Sequence, residues 1–302
     1  MATKTERKDV YEIISEQILK SLDQGTVPWR KPWACMGGMR NIRGNVYRGI
    51  NQFLLQCVSM DKGYSSPVWL TFNQARAAGG SVKKGEKGIP VVFWKQIKKD
   101  ATATEKEKAF MMLRYYTVFN IDQTEGVTLP KAEAVANVVE PLAACEAIVA
   151  NMPNKPSIKH GGDKACYRPS TDEVFMPTMT AFTQAEAYYS TLFHELSHST
   201  GHKDRLNRKG ITDPIAFGNH TYGAEELVAE FGAAFLCGMT GIAPATLENS
   251  AAYIDHWKKA VRLDHKLVVT AAAQAQKAAD MILGPKVSEE EDGEEEEVAK
   301  AA

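Results

Sequence analysis

Two histidines four residues apart, with a glutamate directly after the first, stand at His194-Glu195-Leu196-Ser197-His198. On a helix, positions i and i+4 share a face. Two imidazoles so placed can hold one Zn2+, or another divalent metal, through ring nitrogens. Glu195 then lies one residue round the helix, where a general base for an activated water belongs. The bland alternative is a helix with two surface histidines and a carboxylate between them.

A catalytic ion of this kind takes a third protein ligand and keeps one position open. Glu226 and Glu230 are four apart and would share a helix face. The expectation is Glu226 as ligand and Glu230 as the outer carboxylate that orients a ligand histidine, with the two roles exchangeable. Asp204, six residues past His198, fits a rarer ligand spacing. His202, four past His198, is a third candidate and better suited to lining the cleft.

These side chains work only if helices carry them. Thr183-Gln184-Ala185-Glu186 has the form of a capping box and predicts a helix N-terminus near Thr183. Ala185, Tyr188, Tyr189, Leu192 and Leu196 follow at helical spacing, and Gly201 is a natural stop. Glu226 and Glu230 fall on a second predicted helix with apolar Leu227, Phe231, Ala234 and Phe235. Residues 167–177 read as a turn leading into a short strand. In a zinc peptidase such a strand could pair with an extended peptide; as an ordinary hairpin it would not.

The chain has 302 residues, 44% of them hydrophobic, which is enough for two domains with ordinary cores. No apolar run has membrane-spanning length and no signal-peptide pattern follows Met1, so no membrane partner is expected. The five cysteines are scattered and form no C-x-x-C. They read as reduced thiols of a cytoplasmic protein, and a cysteine-bound zinc is not expected.

Net charge is −1, but it is unevenly spread. Residues 26–99 hold 13 Lys and Arg against two acids, a balance of +11, and residues 288–302 hold eight acids and one lysine. That asymmetry suggests a nucleic-acid surface and an acidic tail. Four of the five tryptophans lie in the basic stretch. Aromatic faces stack on unpaired bases while Lys and Arg track phosphates, so this mixture favours single-stranded DNA over a duplex. The DNA-binding candidates are Trp29, Arg30, Lys31, Trp33, Arg43, Tyr47, Arg48, Asn51, Trp69, Lys83, Lys84 and Lys87. Any one of the tryptophans could equally be core.

The predicted fold class is α+β in two domains. In the first, an amphipathic helix at 9–24 precedes a Pro-Trp segment, a buried helix from about 50 and an extended piece at 66–72. Thr71 caps a short helix, and two strands follow at 89–97 and 109–120. Residues 1–125 form this small α+β domain, 126–140 a linker, 141–287 the metal-binding domain and 288–302 a disordered acidic tail. Helices at 249–262 and 264–283 complete the second domain.

The chain resembles the ArdC family of antirestriction proteins, found on conjugative plasmids and other mobile elements. In the first half the resemblance rests on Pro28-Trp29-Arg30-Lys31-Pro32-Trp33, Tyr47-Arg48-Gly49-Ile50-Asn51, Trp69-Leu70-Thr71-Phe72, Gly79-Gly80 and Lys84-Gly85-Glu86-Lys87-Gly88. In the second half it rests on Asp172, Met176-Pro177, His194 to His198, Thr200-Gly201-His202, Arg205-Leu206 and Glu225 to Glu230. It implies an N-terminal single-stranded-DNA-binding domain fused to a zincin-like metallopeptidase domain. It also implies a role in protecting incoming DNA from host restriction, with restriction-system proteins as target or substrate. The alternative is a non-catalytic protein that coats single-stranded DNA or masks the restriction complex on a zincin scaffold. A metal site acting on phosphate is the third reading, disfavoured because H-E-x-x-H is biased towards peptide hydrolysis.

Overall fold

The computed structural model describes residues 9–30, 38–99, 108–129, 141–213, 220–242 and 251–284. It has two α+β domains. The first holds helices α1 (Val10–Asp23), α2 (Ile50–Lys62) and α3 (Phe72–Ala77) and strands β1 (Arg40–Asn41), β2 (Val68–Leu70), β3 (Ser81–Val82), β4 (Ile89–Lys99), β5 (Lys108–Asn120) and β6 (Thr124–Glu125). The second holds α4 (Pro141–Asn151), β7 (Ser157–His160), β8 (Cys166–Arg168), β9 (Glu173–Met176), α5 (Ala185–Ser199), α6 (Lys209–Thr212), α7 (His220–Thr240), α8 (Ala251–Leu263) and α9 (Leu267–Leu283).

Local chemistry explains the element ends. Asp9 and Glu12 form a reciprocal capping box at the start of α1, and Thr71 with Gln74 does the same for α3. Gly25 and Gly63 adopt positive φ just past α1 and α2, the conformation that ends a helix at least cost in glycine. The larger sheet has the order β1-β2-β5-β4, with β4 paired antiparallel to β5 along its whole length. One face of that pair is core: Val91, Phe93, Tyr116 and Val118 pack with Trp69, Tyr47 and Leu55. The second sheet has the order β7-β9-β8 and lies against α5.

The first residues after 125 still pack with the first domain. Val127 and Thr128 belong to the first domain, since Thr128 N donates to Ala78 O, and β6 pairs with β3. More importantly, α1 and α2 put their apolar faces into the helical core of the second domain. Trp29 meets Phe231 and Trp257 edge-on, and Phe53 stacks near Phe235. Val10, Ile14, Ile18 and Leu22 of α1 are buried in the same cluster as α5, α7, α8 and α9. The physical reason is that α1 has a one-sided apolar stripe and the sheet of its own domain does not cover it. Residues 130–140 and the acidic tail at 288–302 lie outside the described residues. Among the described residues no helix is long and apolar enough to cross a membrane.

Candidate metal centre

Helix α5 carries the histidine pair. Its N-cap is Gln184 rather than Thr183, and no side-chain cap bond forms there. The expected capping box is therefore absent, because the chain turns into the helix one residue later. Tyr188, Tyr189, Leu192, Phe193 and Leu196 are buried and anchor the helix in the core. The helix ends at Ser199, with Thr200 as C-cap. Gly201 is not in the left-handed conformation of a helix-ending glycine. It is required for room: a Cβ there would lie 2.5 Å from Ile211 Cγ1 and 3.1 Å from Arg208 Nη2.

Helix α7 crosses α5 and brings Glu226 opposite the pair. His194 Nε2 and His198 Nε2 are 3.2 Å apart. Glu226 Oε2 is 3.6 Å from His194 Nε2, and its Oε1 is 3.6 Å from His198 Nε2. Ligands about 2.0–2.1 Å from a tetrahedral ion stand about 3.3–3.4 Å from one another. Two imidazole nitrogens and a carboxylate at these separations match that donor set, and two facing Nε2 atoms are otherwise poor company. Glu195, the neighbour of His194, is 8% exposed.

Burial and two carboxylates act on His198, and their balance sets its proton affinity. Burial pushes its pKa down, but the carboxylates of Glu225 and Glu226 outweigh that and raise it to about 10. Burial pushes Glu226 up, and His194 and His198 outweigh it, holding the carboxyl far below its usual range. Burial likewise raises Glu225, and His198 and Arg208 bring it below the ordinary value.

The outer carboxylate is Glu225, not Glu230. Glu225 Oε1 lies 3.4 Å from His198 Nδ1. The same carboxylate accepts from buried Arg208, at 2.6 Å from Nη2 and 3.0 Å from Nε. Arg208 also donates to Ser197 O at 2.8 Å and to Thr200 Oγ1 at 2.6 Å. Glu230 instead accepts from Trp29 Nε1 at 2.8 Å and from the Tyr253 hydroxyl. The rotation of α7 turns it towards the first domain. Asp204 does not join the cluster: its side chain is 74% exposed, and its Oδ2 is 3.5 Å from His202 Nδ1. His202 is thereby occupied at the mouth of the loop after α5. Arg205 is structural, binding Asp172, Tyr167 Oη, Ser199 O and Asn154 O. Arg208, the N-cap residue of α6, carried no sequence signal that set it apart from the chain's other cations.

The DNA-binding candidates divide sharply. Trp29 and Trp69 are 1% and 0% exposed, and Tyr47 is 6% exposed, so none offers a ring face to a base. Asn51 is buried as a clamp on β4: its Nδ2 donates to Val92 O at 2.7 Å and its Oδ1 accepts from Val92 N at 2.8 Å. Arg48 pairs with Asp280 of α9. These are corrections with one cause: the segments carrying them pack against the second domain or the sheet. Arg43, Lys83, Lys84 and Lys87 are exposed. The Arg30 side chain, Lys31 and Trp33 lie outside the described residues.

A helix with H-E-x-x-H opposed by a glutamate from a second helix defines a zincin-like centre suited to a divalent metal. Residues 143–274 match the zincin-like metallopeptidase model, and residues 8–119 match the N-terminal domain of anti-restriction factor ArdC. The chain belongs to the ArdC family of antirestriction proteins. It is 37% identical to metal-free ArdC from plasmid R388, with a TM-score of 0.71 over 91% of this chain and 97% of that one. Against the Mn(II)-bound structure of the same R388 protein the figures are 36% and 0.72, again over 91% and 97%. Protein y4eC of Sinorhizobium fredii is 34% identical over 284 residues, 90% of this chain and 91% of its own length. DNA primase TraC of Escherichia coli is 35% identical over 301 residues, which is 92% of this chain but 27% of TraC.

Proposed function

We propose that the protein is a metal-dependent peptidase tethered to single-stranded DNA, acting to protect incoming DNA from host restriction. Zn2+ is the expected ion, held by His194, His198 and Glu226, with proteins of the restriction system as substrates. The observation that carries this reading is the convergence of three donors beside Glu195.

A divalent ion bound there would supply Lewis acidity, polarising a scissile carbonyl and acidifying water. Glu195 takes the proton from the attacking water and returns it to the leaving amine. His194 and His198 stay fixed by their shared helix, and Glu225 holds the His198 ring through Nδ1. Burial of Glu195 and His198 keeps bulk water from competing for that proton. Strand β8 is a sheet edge packed near α5, a place where an extended peptide can pair by β-addition. DNA tethering raises the local concentration of substrate proteins on the same strand. The basic first domain supports that part of the reading.

The test compares wild type with Glu195→Gln, both loaded with Zn2+ or Mn2+, in extract from restriction-competent cells. New protein N-termini in the wild-type sample alone support cleavage by this site. Equal yields of the same termini from both proteins would sink it.

A further inference from the structure

The aromatic residues that could receive bases are not the ones buried around Trp29 and Trp69. They lie on the face of the β4–β5 ribbon that begins at buried Val92 and is exposed at Trp94 and Tyr115. In the register of that ribbon, Val92 faces Tyr115 and Trp94 faces Leu113. Trp94 and Tyr115 are therefore diagonal neighbours on one face, since side chains alternate along each strand. The opposite face holds Val91, Phe93, Tyr116 and Val118 in the core. Trp94 is 38% exposed and Tyr115 is 51% exposed. A single exposed ring needs no explanation. Two diagonally neighbouring exposed rings on one ribbon form a stacking platform of the kind single-strand-binding sheets use.

The charge of the ribbon fits the same ligand. Strands β4 and β5 contain Lys95, Lys98, Lys99, Lys108 and Arg114 and no Asp or Glu. Arg114 is exposed but, by the same alternation, points to the Phe93 face, away from Trp94 and Tyr115; the turn leading into β4 adds exposed Lys83, Lys84 and Lys87. An apolar protein partner would not call for an acid-free strand pair. A polyanion with unpaired bases satisfies both the rings and the cations.

We propose that single-stranded DNA lies across the β4–β5 ribbon, with bases stacked on Trp94 and Tyr115 and phosphates on the exposed lysines of the turn before β4. This rests on the reading of the first domain as a single-strand binder, and it names the surface. The sequence of bases matters little to such a site, because every base has a stacking face.

The experiment measures affinity for labelled oligo-dT across a salt series, using full-length wild type, Trp94→Ala, Tyr115→Ala and the double variant. Trp94→Phe and Tyr115→Phe are the conservative partners. Each alanine variant should weaken binding by roughly 5- to 150-fold, without changing the salt slope, because no phosphate contact is lost. The phenylalanine variants should recover most of the affinity. Lys83→Ala with Lys87→Ala should instead flatten the salt slope. Melting temperatures within a few degrees of wild type establish that the variants fold. If wild type binds oligo-dT and both alanine variants bind within two-fold of it, this surface is wrong while the DNA reading stands. If wild type fails to bind at low salt, the DNA reading itself fails. If the alanine variants convert a wild-type dimer to monomer, the rings serve self-association and the proposal is overturned.

Discussion

Glu225 Oε1 stands 3.4 Å from His198 Nδ1, and the same carboxylate is gripped by the buried guanidinium of Arg208. The ring of His198 is thus steered from behind by a residue adjacent to Glu226, the proposed third ligand. Outer carboxylates on ligand histidines raise metal affinity typically ten- to a hundred-fold. Glu225→Gln should weaken Zn2+ and Mn2+ binding by about that factor, measured by competition with a chelator. Arg208→Met should also cost about 3–5 kcal/mol of stability, because it leaves a buried carboxylate short of its partner. Unchanged affinity in Glu225→Gln would mean the contact is incidental.

Gly232 of α7 touches α5 where a side chain would not fit. A Cβ there would lie 2.4 Å from Ser197 Oγ and 3.0 Å from Ser197 Cβ. Ser197 neighbours His198, and Glu226 is on α7, so this contact sets the gap between donors from two helices. Gly232→Ala should force the helices apart, costing about 1–3 kcal/mol by overpacking. It should lower metal affinity too, although it touches no ligand. Isothermal titration with Zn2+ beside a thermal melt checks both. A melt that shifts while the Zn2+ affinity holds would show that the gap is set elsewhere.

Trp29 donates its indole N–H to Glu230, which makes it a tie between domains. Trp29→Phe should lose about 1–3 kcal/mol as that carboxylate loses a buried donor. Oligo-dT affinity should remain within two-fold of wild type. A large loss of DNA binding with little loss of stability would restore Trp29 as a contact residue.

Burial raises the Asp172 carboxyl, but bonds from Arg205 and Tyr167 outweigh it and hold its pKa below the usual value. A depressed folded pKa gives stability that is complete above the unfolded value near ~3.9 and is lost as pH falls through the lower folded value. Asp172 sits at positive φ, which Asn tolerates. Melting of chelator-treated wild type should therefore fall more steeply below about pH 4 than melting of Asp172→Asn. Parallel curves for the two proteins would remove Asp172 from the acid response.

The histidine pair was legible because its chemistry is local: one helical turn carries both rings and Glu195. The opposing carboxylate was legible as Glu226, with Glu230 as the exchangeable alternative, and the structure brings Glu226 to the histidines. Three acids at 225, 226 and 230 could face α5, and the choice depends on how α7 is rotated. That rotation is fixed by long-range packing at Ser197–Gly232 and Trp29–Glu230, which no local pattern encodes. Spacing four apart favoured Glu230 as the histidine's outer partner, whereas the tertiary fold gave that place to Glu225. The aromatics failed for a related reason. Val91-Val92-Phe93-Trp94 is apolar throughout, so alternation could not say which rings point outwards. Composition found the basic domain but could not tell a core tryptophan from an exposed one.

Glu226 and Glu230 lie one turn apart on α7, about 6 Å along its axis. One faces the histidines and the other holds the amino-terminal Trp29. A single stretch of helix therefore links the candidate metal centre to the anchorage of the amino-terminal half. The spacing between those two carboxylates therefore cannot change without distorting the helix that carries both.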